Sequence, residues 1–290
     1  MDFEGIANAV ISGLLTGLVY GLSALGLSVI FGVIRIVNFA HGELMAIGMY
    51  FALVLFNSLG IDPLVSVPLA AVLLFAVGYL LQQVVISRVS HLPDHMQFLL
   101  LAGIAIILVN ACLVGFGPDN QRAQVSYALD SFAFGNVIID KTKIYAAVAA
   151  IVVATLLMLF FKYSSVGRAI RACADNYLGA KVVGLNVGRL YALTFGIGAA
   201  CIGAAGCMLL LISPVSPAVG PSYTLLAFIV VIVGGMGSLV GALLGGIVIG
   251  VSEQLASDFL QPSLKTAVSF ALLIVLLLFR PQGLLGKKQH

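Results

Sequence analysis

The sequence predicts an all-α fold: a polytopic membrane helix bundle of about eight or nine spanning helices, some of them short or broken. Three observations lead to it. Of the 290 residues, 61% are apolar and only 9% charged, against about 25% charged in an average soluble domain. Apolar runs of about the 20 residues that a helix needs to cross a bilayer recur along the whole chain. When those runs are taken as alternating crossings, Lys and Arg gather on one side of them.

In order, the runs are 7–34, 40–59, 63–86, 98–116, 144–161 and 190–212, with a slightly short one at 267–279. The residues ahead of the first run include Asp2 and Glu4 and no Lys or Arg. A signal peptide needs a basic start, so the first run is expected to stay in the mature chain. Between the last two runs lies 223–255, 33 residues in which only Glu253 is charged. That is long for one crossing, and "GGMGS" at 234–238 is a weak point for a helix. Two short helices hinged there give nine crossings with the N-terminus outside. Arg35, Arg88, Lys162, Arg168, Arg171, Lys181, Arg189, Arg280, Lys287 and Lys288 then lie inside, ten of the 14 basic residues, and Arg122, Lys141, Lys143 and Lys265 outside. The positive-inside rule favours this arrangement. It describes one transmembrane domain, 1–290, with an extracytoplasmic loop at 117–143 and a cytoplasmic segment at 162–190. A re-entrant turn at 234–238 stays open, because broken backbone is tolerated where protein buries it.

Glycines recur at helical spacing. Gly13, Gly17 and Gly21 are four apart, as are Gly237, Gly241 and Gly245, and Gly196, Ala200, Gly203 and Cys207 form a looser third stripe. Such stripes let another backbone approach closely; packing inside one bundle is favoured over a self-dimerisation face. The four cysteines show no CxxC spacing and read as small core residues. With no Trp in the chain, any interfacial aromatic role falls to Tyr and Phe.

In the segment 162–191, Ser165 is placed to cap a helix. Val166, Ala169, Ile170, Cys173, Tyr177 and Leu178 then recur on one face, with Gly179 or Gly184 as the stop. An amphipathic basic helix beside a membrane either lies on anionic lipid or docks into a soluble partner. The net charge of +3 reflects basic loops rather than nucleic-acid binding. No phosphate-binding loop, HExxH or GxSxG motif is present, and no nucleophile–base set suggests an enzyme. His91, Asp94 and His95 sit beside a proline and read as a solvated turn rather than a metal site.

Four blocks, in this order and from end to end, resemble one family, the membrane permeases of branched-chain amino acid ABC importers. They are "GLVYGLSALGLSVIFGVIRIVNFAHGELMAIG", with "NFAHGE" its most specific piece, "VGRAIRACADNYLGAKVVGLNV", "GGMGSLVGALLGG" and "LLLFRPQGLLG". The chain looks closest to the shorter of the two permease types. The resemblance implies a five-component importer in a bacterial inner membrane: a periplasmic solute-binding protein, two related permeases in the lipid bilayer, and two cytoplasmic ATPases. ATP and Mg would bind to the ATPases, with no cofactor in this chain. The resemblance moves 162–191 toward docking, with Gly167, Arg168, Ala169, Arg171, Ala172, Asp175 and Gly184 at or near the ATPase contact. Branched-chain amino acids are the expected substrates; urea, amides or organic acids are the alternative within the family. An ion-coupled secondary transporter is the more distant reading, disfavoured because the break at 234–238 has no acidic neighbour nearby.

Asn38, His41 and Glu43 are the polar groups of the "NFAHGE" block. In the topology above, Asn38 and His41 lie at the cytoplasmic entry of the second span and Glu43 about two turns in. Asn38, His41 and Met45 share a face, while Glu43 points about 200° away from His41. Asn38 and His41 are expected to hydrogen-bond a neighbouring segment, and Glu43 to pair with a base such as Arg35 or one in the second permease. The alternative is that the three line the pathway or its inner gate.

Overall fold

The computed structural model describes residues 3–90, 92–134 and 137–286. Asp2, His91, Lys287 and Lys288 lie outside the described residues. The long helices are α1 (Phe3–Ile34), α2 (His41–Leu59), α3 (Val67–Val89), α4 (Asp94–Phe116), α5 (Lys141–Tyr163), α8 (Val187–Ile212), α9 (Val219–Gly234), α10 (Leu239–Phe259) and α11 (Lys265–Phe279), with two short ones, α6 (Ser165–Asp175) and α7 (Tyr177–Val182), between α5 and α8. Eight of these are long and apolar enough to cross a membrane, and α9 is a shorter apolar helix. The chain is a multi-pass membrane protein. Helix α3 carries a π-helical stretch, Leu81–Ile86, in its second half.

The break at 234–238 is a tight reversal. Gly235 and Gly237 take φ of 103° and 81°, a left-handed region that side chains avoid. Ser238 Oγ then accepts from the Gly241 N–H at 3.0 Å and starts α10. The last carbonyls of α9 are satisfied by the C-terminal tail: Leu284 N–H donates to Val233 O at 2.8 Å and Leu285 N–H to Gly234 O at 3.0 Å. Helix α9 is only about 24 Å long, short of the ~30 Å hydrocarbon core.

Helices α1 and α8 form the buried centre, and α4 and α11 sit on the outside. Small residues set the spacing. A Cβ on Gly13 would lie 2.6 Å from Val251 Cα, one on Gly17 2.5 Å from Gly246 O, and one on Gly21 3.0 Å from Leu243 Cα. The backbones of α1 and α10 therefore touch. The glycines of α10 that meet α1 are Gly246 and Gly250, which the sequence reading passed over. Gly241 and Gly245 instead face α9, at Gly234 and Val230, and Gly237 belongs to the turn. Neighbouring residues on a helix differ by about 100° in direction, so two adjacent stripes serve two partners. Gly196 and Gly203 of α8 pack on Phe75 and on Ala70 and Leu74 of α3.

The loop at 117–143 is folded rather than loose. It carries an antiparallel hairpin, β1 (Ser131–Phe134) and β2 (Val137–Asp140), and then enters α5. Gln121 and Val215 pair backbone to backbone, Tyr127 Oη donates to Asp62 Oδ2 at 2.7 Å, and Lys143 Nζ donates to Ser12 Oγ at 2.7 Å. These contacts gather the ends of α1, α2, α5 and α8 at the end of the bundle that holds Arg122, Lys141, Lys143 and Lys265. The opposite end holds Arg35, Arg88, Arg168, Arg189 and Arg280. Basic residues are thus sorted as the positive-inside rule requires.

Candidate functional site

After α1 the chain reverses at Arg35, the one non-glycine among the described residues with positive φ, at 59°. Residues 35–40 are not helical. They carry the chain back along α1, so α2 begins well inside the bundle. His41, its first residue, is fully buried and places Nε2 3.1 Å from Ser23 Oγ. Ser23 is 11 residues before Ile34, about 16 Å along the axis of α1. This corrects the expectation that Asn38 and His41 sit at the cytoplasmic entry of the span. The local sequence has no glycine or asparagine at position 35 to signal the reversal.

The partners at this junction are specific. Ser23 Oγ also lies 3.6 Å from Met45 Sδ, to which it can donate. A hydroxyl has one proton, so His41 Nε2–H then donates to Ser23, and Nδ1 is the acceptor nitrogen. Asn38 precedes the helix and does not share its face; Asn38 Oδ1 accepts from the Ala40 N–H at 3.1 Å. On the other side of α2, Gly42 N–H donates to Thr224 Oγ1 at 2.8 Å, and that hydroxyl donates to Glu43 Oε2 at 3.2 Å. Glu43 is 4% exposed. The ion pairs within 4 Å among the described residues are Lys141–Asp130 and Lys143–Asp140, so Glu43 is not paired with Arg35. Its partner is the α9 hydroxyl, because α2 starts deep in the bundle and Arg35 stays at the end of α1. His41 and Glu43 do point to different neighbours, α1 and α9. Thr224 and Ser23 are the residues that sequence reading missed. Each is one of several hydroxyl residues in its helix, among Ser12, Thr16, Tyr20 and Ser28 in α1 and beside Ser222 and Tyr223 in α9, so nothing in the sequence singles it out.

The second region is the pair α6–α7 at the basic end. Ser164, rather than Ser165, caps α6, accepting from Val166 N–H at 3.2 Å and Gly167 N–H at 3.4 Å. Gly167, Ile170 and Cys173 form its buried face; a Cβ on Gly167 would lie 2.5 Å from Phe160 O at the end of α5. Burial pushes the Cys173 thiol above its ordinary value, so it is a packed thiol rather than a reactive one. The expected single apolar face through Leu178 does not form. Asn176 is extended, with φ −148° and ψ 97°, and its side chain accepts from the Gly179 N–H at 2.8 Å to start α7. Gly184, at φ 85°, follows the end of α7. Arg168, Arg171, Ala172, Asp175 and Gly184 are exposed, Ala169 is half-buried and Gly167 buried. Leu178, Val182 and Val183 are 70%, 86% and 75% exposed. Leu178 was expected on the buried face, and the two valines were not anticipated.

Among the described residues, no group of three or more His, Cys, Asp and Glu is placed to hold a metal. His91, part of the turn with Asp94 and His95, lies outside them.

The family model described as branched-chain amino acid transport system / permease component matches residues 9–277. The chain is 34% identical to the high-affinity branched-chain amino acid transport system permease protein BraD of Pseudomonas aeruginosa over 293 residues, covering 96% of this chain and 95% of that one. It is 33% identical to the corresponding permease protein LivH of Escherichia coli, covering 96% and 94%. It is also similar, at 26% identity over 92% of this chain and 68% of the other, to the permease protein LivM of Salmonella typhimurium. Among solved structures, PsaBC from Streptococcus pneumoniae in complex with Fab is similar with a TM-score of 0.48 and 14% identity, covering 97% and 94%. With the family model spanning nearly the whole chain and relatives matched end to end, this chain belongs to the family of branched-chain amino acid transport permease components.

Proposed function

We propose that this chain is one of two related permeases in an ATP-driven importer of branched-chain amino acids in a bacterial inner membrane. A second permease completes the path, two cytoplasmic ATPases bind ATP and Mg and drive the cycle, and a periplasmic solute-binding protein delivers the solute. The observation that carries the reading is the α6–α7 pair. It lies at the basic end of the bundle, and Leu178, Val182 and Val183 are exposed on it, as are Arg168 and Arg171. An apolar patch of that kind on an aqueous face marks a docking surface. The names of the similar proteins BraD and LivH supply the solute class. Similarity to LivM as well supports a partner permease related to this chain. The buried junction of Ser23, His41, Glu43 and Thr224 ties α1, α2 and α9 together through the Ser23–His41 and Thr224–Glu43 hydrogen bonds.

The test is purification of the tagged chain from its native cells, followed by reconstitution with all co-purifying subunits. The expected result is ATP-dependent, ion-gradient-independent uptake of leucine delivered by the co-purifying binding protein. Uptake driven by an ion gradient without ATP would refute the reading, and uptake of urea or amides but not leucine would replace the substrate.

A further inference from the structure

Away from the junction, a cavity of about 190 Å³ opens between the outer ends of α1, α5, α8, α10 and α11. Thr16, Tyr20, Lys143, Ser213, Glu253 and Lys265 are among the residues that line it. Glu253 is the unusual group. It lies six residues before the end of α10, about 9 Å below it, and it is the only charged residue between 223 and 255. A carboxylate in a spanning helix is costly and marks a functional position by default. Its own contacts are hydroxyls: Ser269 Oγ donates to Glu253 Oε1 at 2.8 Å, and Tyr20 is a further hydrogen-bond partner. Lys265 attracts Glu253 from across the cavity but is not among the ion pairs within 4 Å. Lys143 is held at the rim by Ser12 and Asp140.

With the Lys143 ammonium already paired to Asp140, the cavity presents one carboxylate, Glu253, and one further ammonium, Lys265, that line the same space without closing on each other, among the hydroxyls of Thr16, Tyr20 and Ser213. That pattern is complementary to a small zwitterion. We propose that this cavity binds the charged head of a small α-amino acid, with Glu253 on the ammonium side and Lys265 on the carboxylate side. The proposal rests on the importer reading above and names a place in this chain where the solute stops. Tyr20 is its floor. Beyond Tyr20 lies a void of about 10 Å³, also lined by Ser23, Met45 and Tyr223. Tyr20 thus separates the outer cavity from the buried junction at His41. A purely structural role for Glu253 would be to fasten α11, whose buried residue is Ser269.

The experiment places a reporter cysteine by Thr16→Cys; Cys112, Cys173, Cys201 and Cys207 are all buried. The assembled importer in proteoliposomes is labelled with the membrane-impermeant sulfonatoethyl methanethiosulfonate. L-leucine should slow labelling about tenfold at ten times its half-protecting concentration, whereas 4-methylpentanoate and isoamylamine, each with one of the two charges, should not protect. Glu253→Gln and Lys265→Met should each raise the half-protecting concentration about tenfold or more, an effect a mere helix fastener would not have. Labelling that leucine leaves unchanged, in an importer that still takes up leucine with ATP, overturns the cavity and leaves the importer reading standing. Protection by either single-charge analogue, or no labelling of Cys at this position, also overturns it. Absence of both uptake and protection removes the importer reading and the site with it.

Discussion

Alanine at Gly17 tests whether backbone contact between α1 and α10 holds the bundle. The added Cβ would lie 2.5 Å from Gly246 O and 2.8 Å from Ile247 Cα, where ordinary contact begins at 3.4 Å. Both obstructing atoms are backbone and cannot rotate away. The helices must part by roughly 0.9 Å, the difference between those distances, and a gap of that size forfeits a quarter to a half of the dispersion well for the neighbouring atoms. Overpacking costs about 1–3 kcal/mol. A Gly-to-Ala change inside a helix returns up to about 1 kcal/mol. The net loss is about 1 kcal/mol, a fall of about 2–4 °C in Tm for a large domain. The assay is thermal unfolding of the detergent-solubilised chain at a fixed scan rate, since such melts are often irreversible. Gly103→Ala in α4 is the comparison, because nothing lies within 4 Å of a Cβ there; it should raise Tm by about 1–3 °C. A rise at Gly17, or shifts of one sign at both positions, would refute the reasoning.

Thr224→Val keeps the shape but removes the hydroxyl shared by Gly42 N–H and Glu43. It should cost about 1–3 kcal/mol, read as a lower Tm with reduced uptake, while Thr224→Ser retains both; equal melting of the valine variant and wild type would dismiss the junction as a tie. Leu178→Asp and Val182→Asp change exposed side chains, so the chain should fold with unchanged Tm yet lose the co-purifying ATPases; retention of those subunits by both variants would move the docking surface elsewhere. Burial, and then the hydrogen bond to Asp62, raise the Tyr127 hydroxyl above its ordinary value. The folded state then holds this proton more tightly than the unfolded state, so stability from Tyr127 is fully present below a pH of about 10 and is lost as pH rises beyond it. Wild-type Tm should fall more steeply above that pH than the Tm of Tyr127→Phe, and parallel curves would count against the contact.

Several elements were readable in advance, each because its signal is local. The reversal at 234–238 follows from glycines that alone tolerate its φ values. The buried face of α6 was half legible: Ile170 and Cys173 pack as the period required, but Tyr177 and Leu178 left that face when Asn176 turned to cap α7. A periodic pattern cannot register a single extended residue inside it. The depth of His41 was not legible at all. Hydropathy places 35–40 at a membrane surface, and only the reversal at Arg35 carries it inward to Ser23.

Hydropathy was enough to establish a multi-pass helical protein, and charge placement to predict an orientation for it, because the bilayer acts on every window of the chain separately; the permease family came from the four resembling blocks. What needed the folded chain was the choice of neighbours. Gly246 and Gly250 against α1 and Thr224 beneath Glu43 are pairings between residues far apart in sequence. A turn of about 100° on one helix decides which partner each meets, and that angle is set only when the helices pack together.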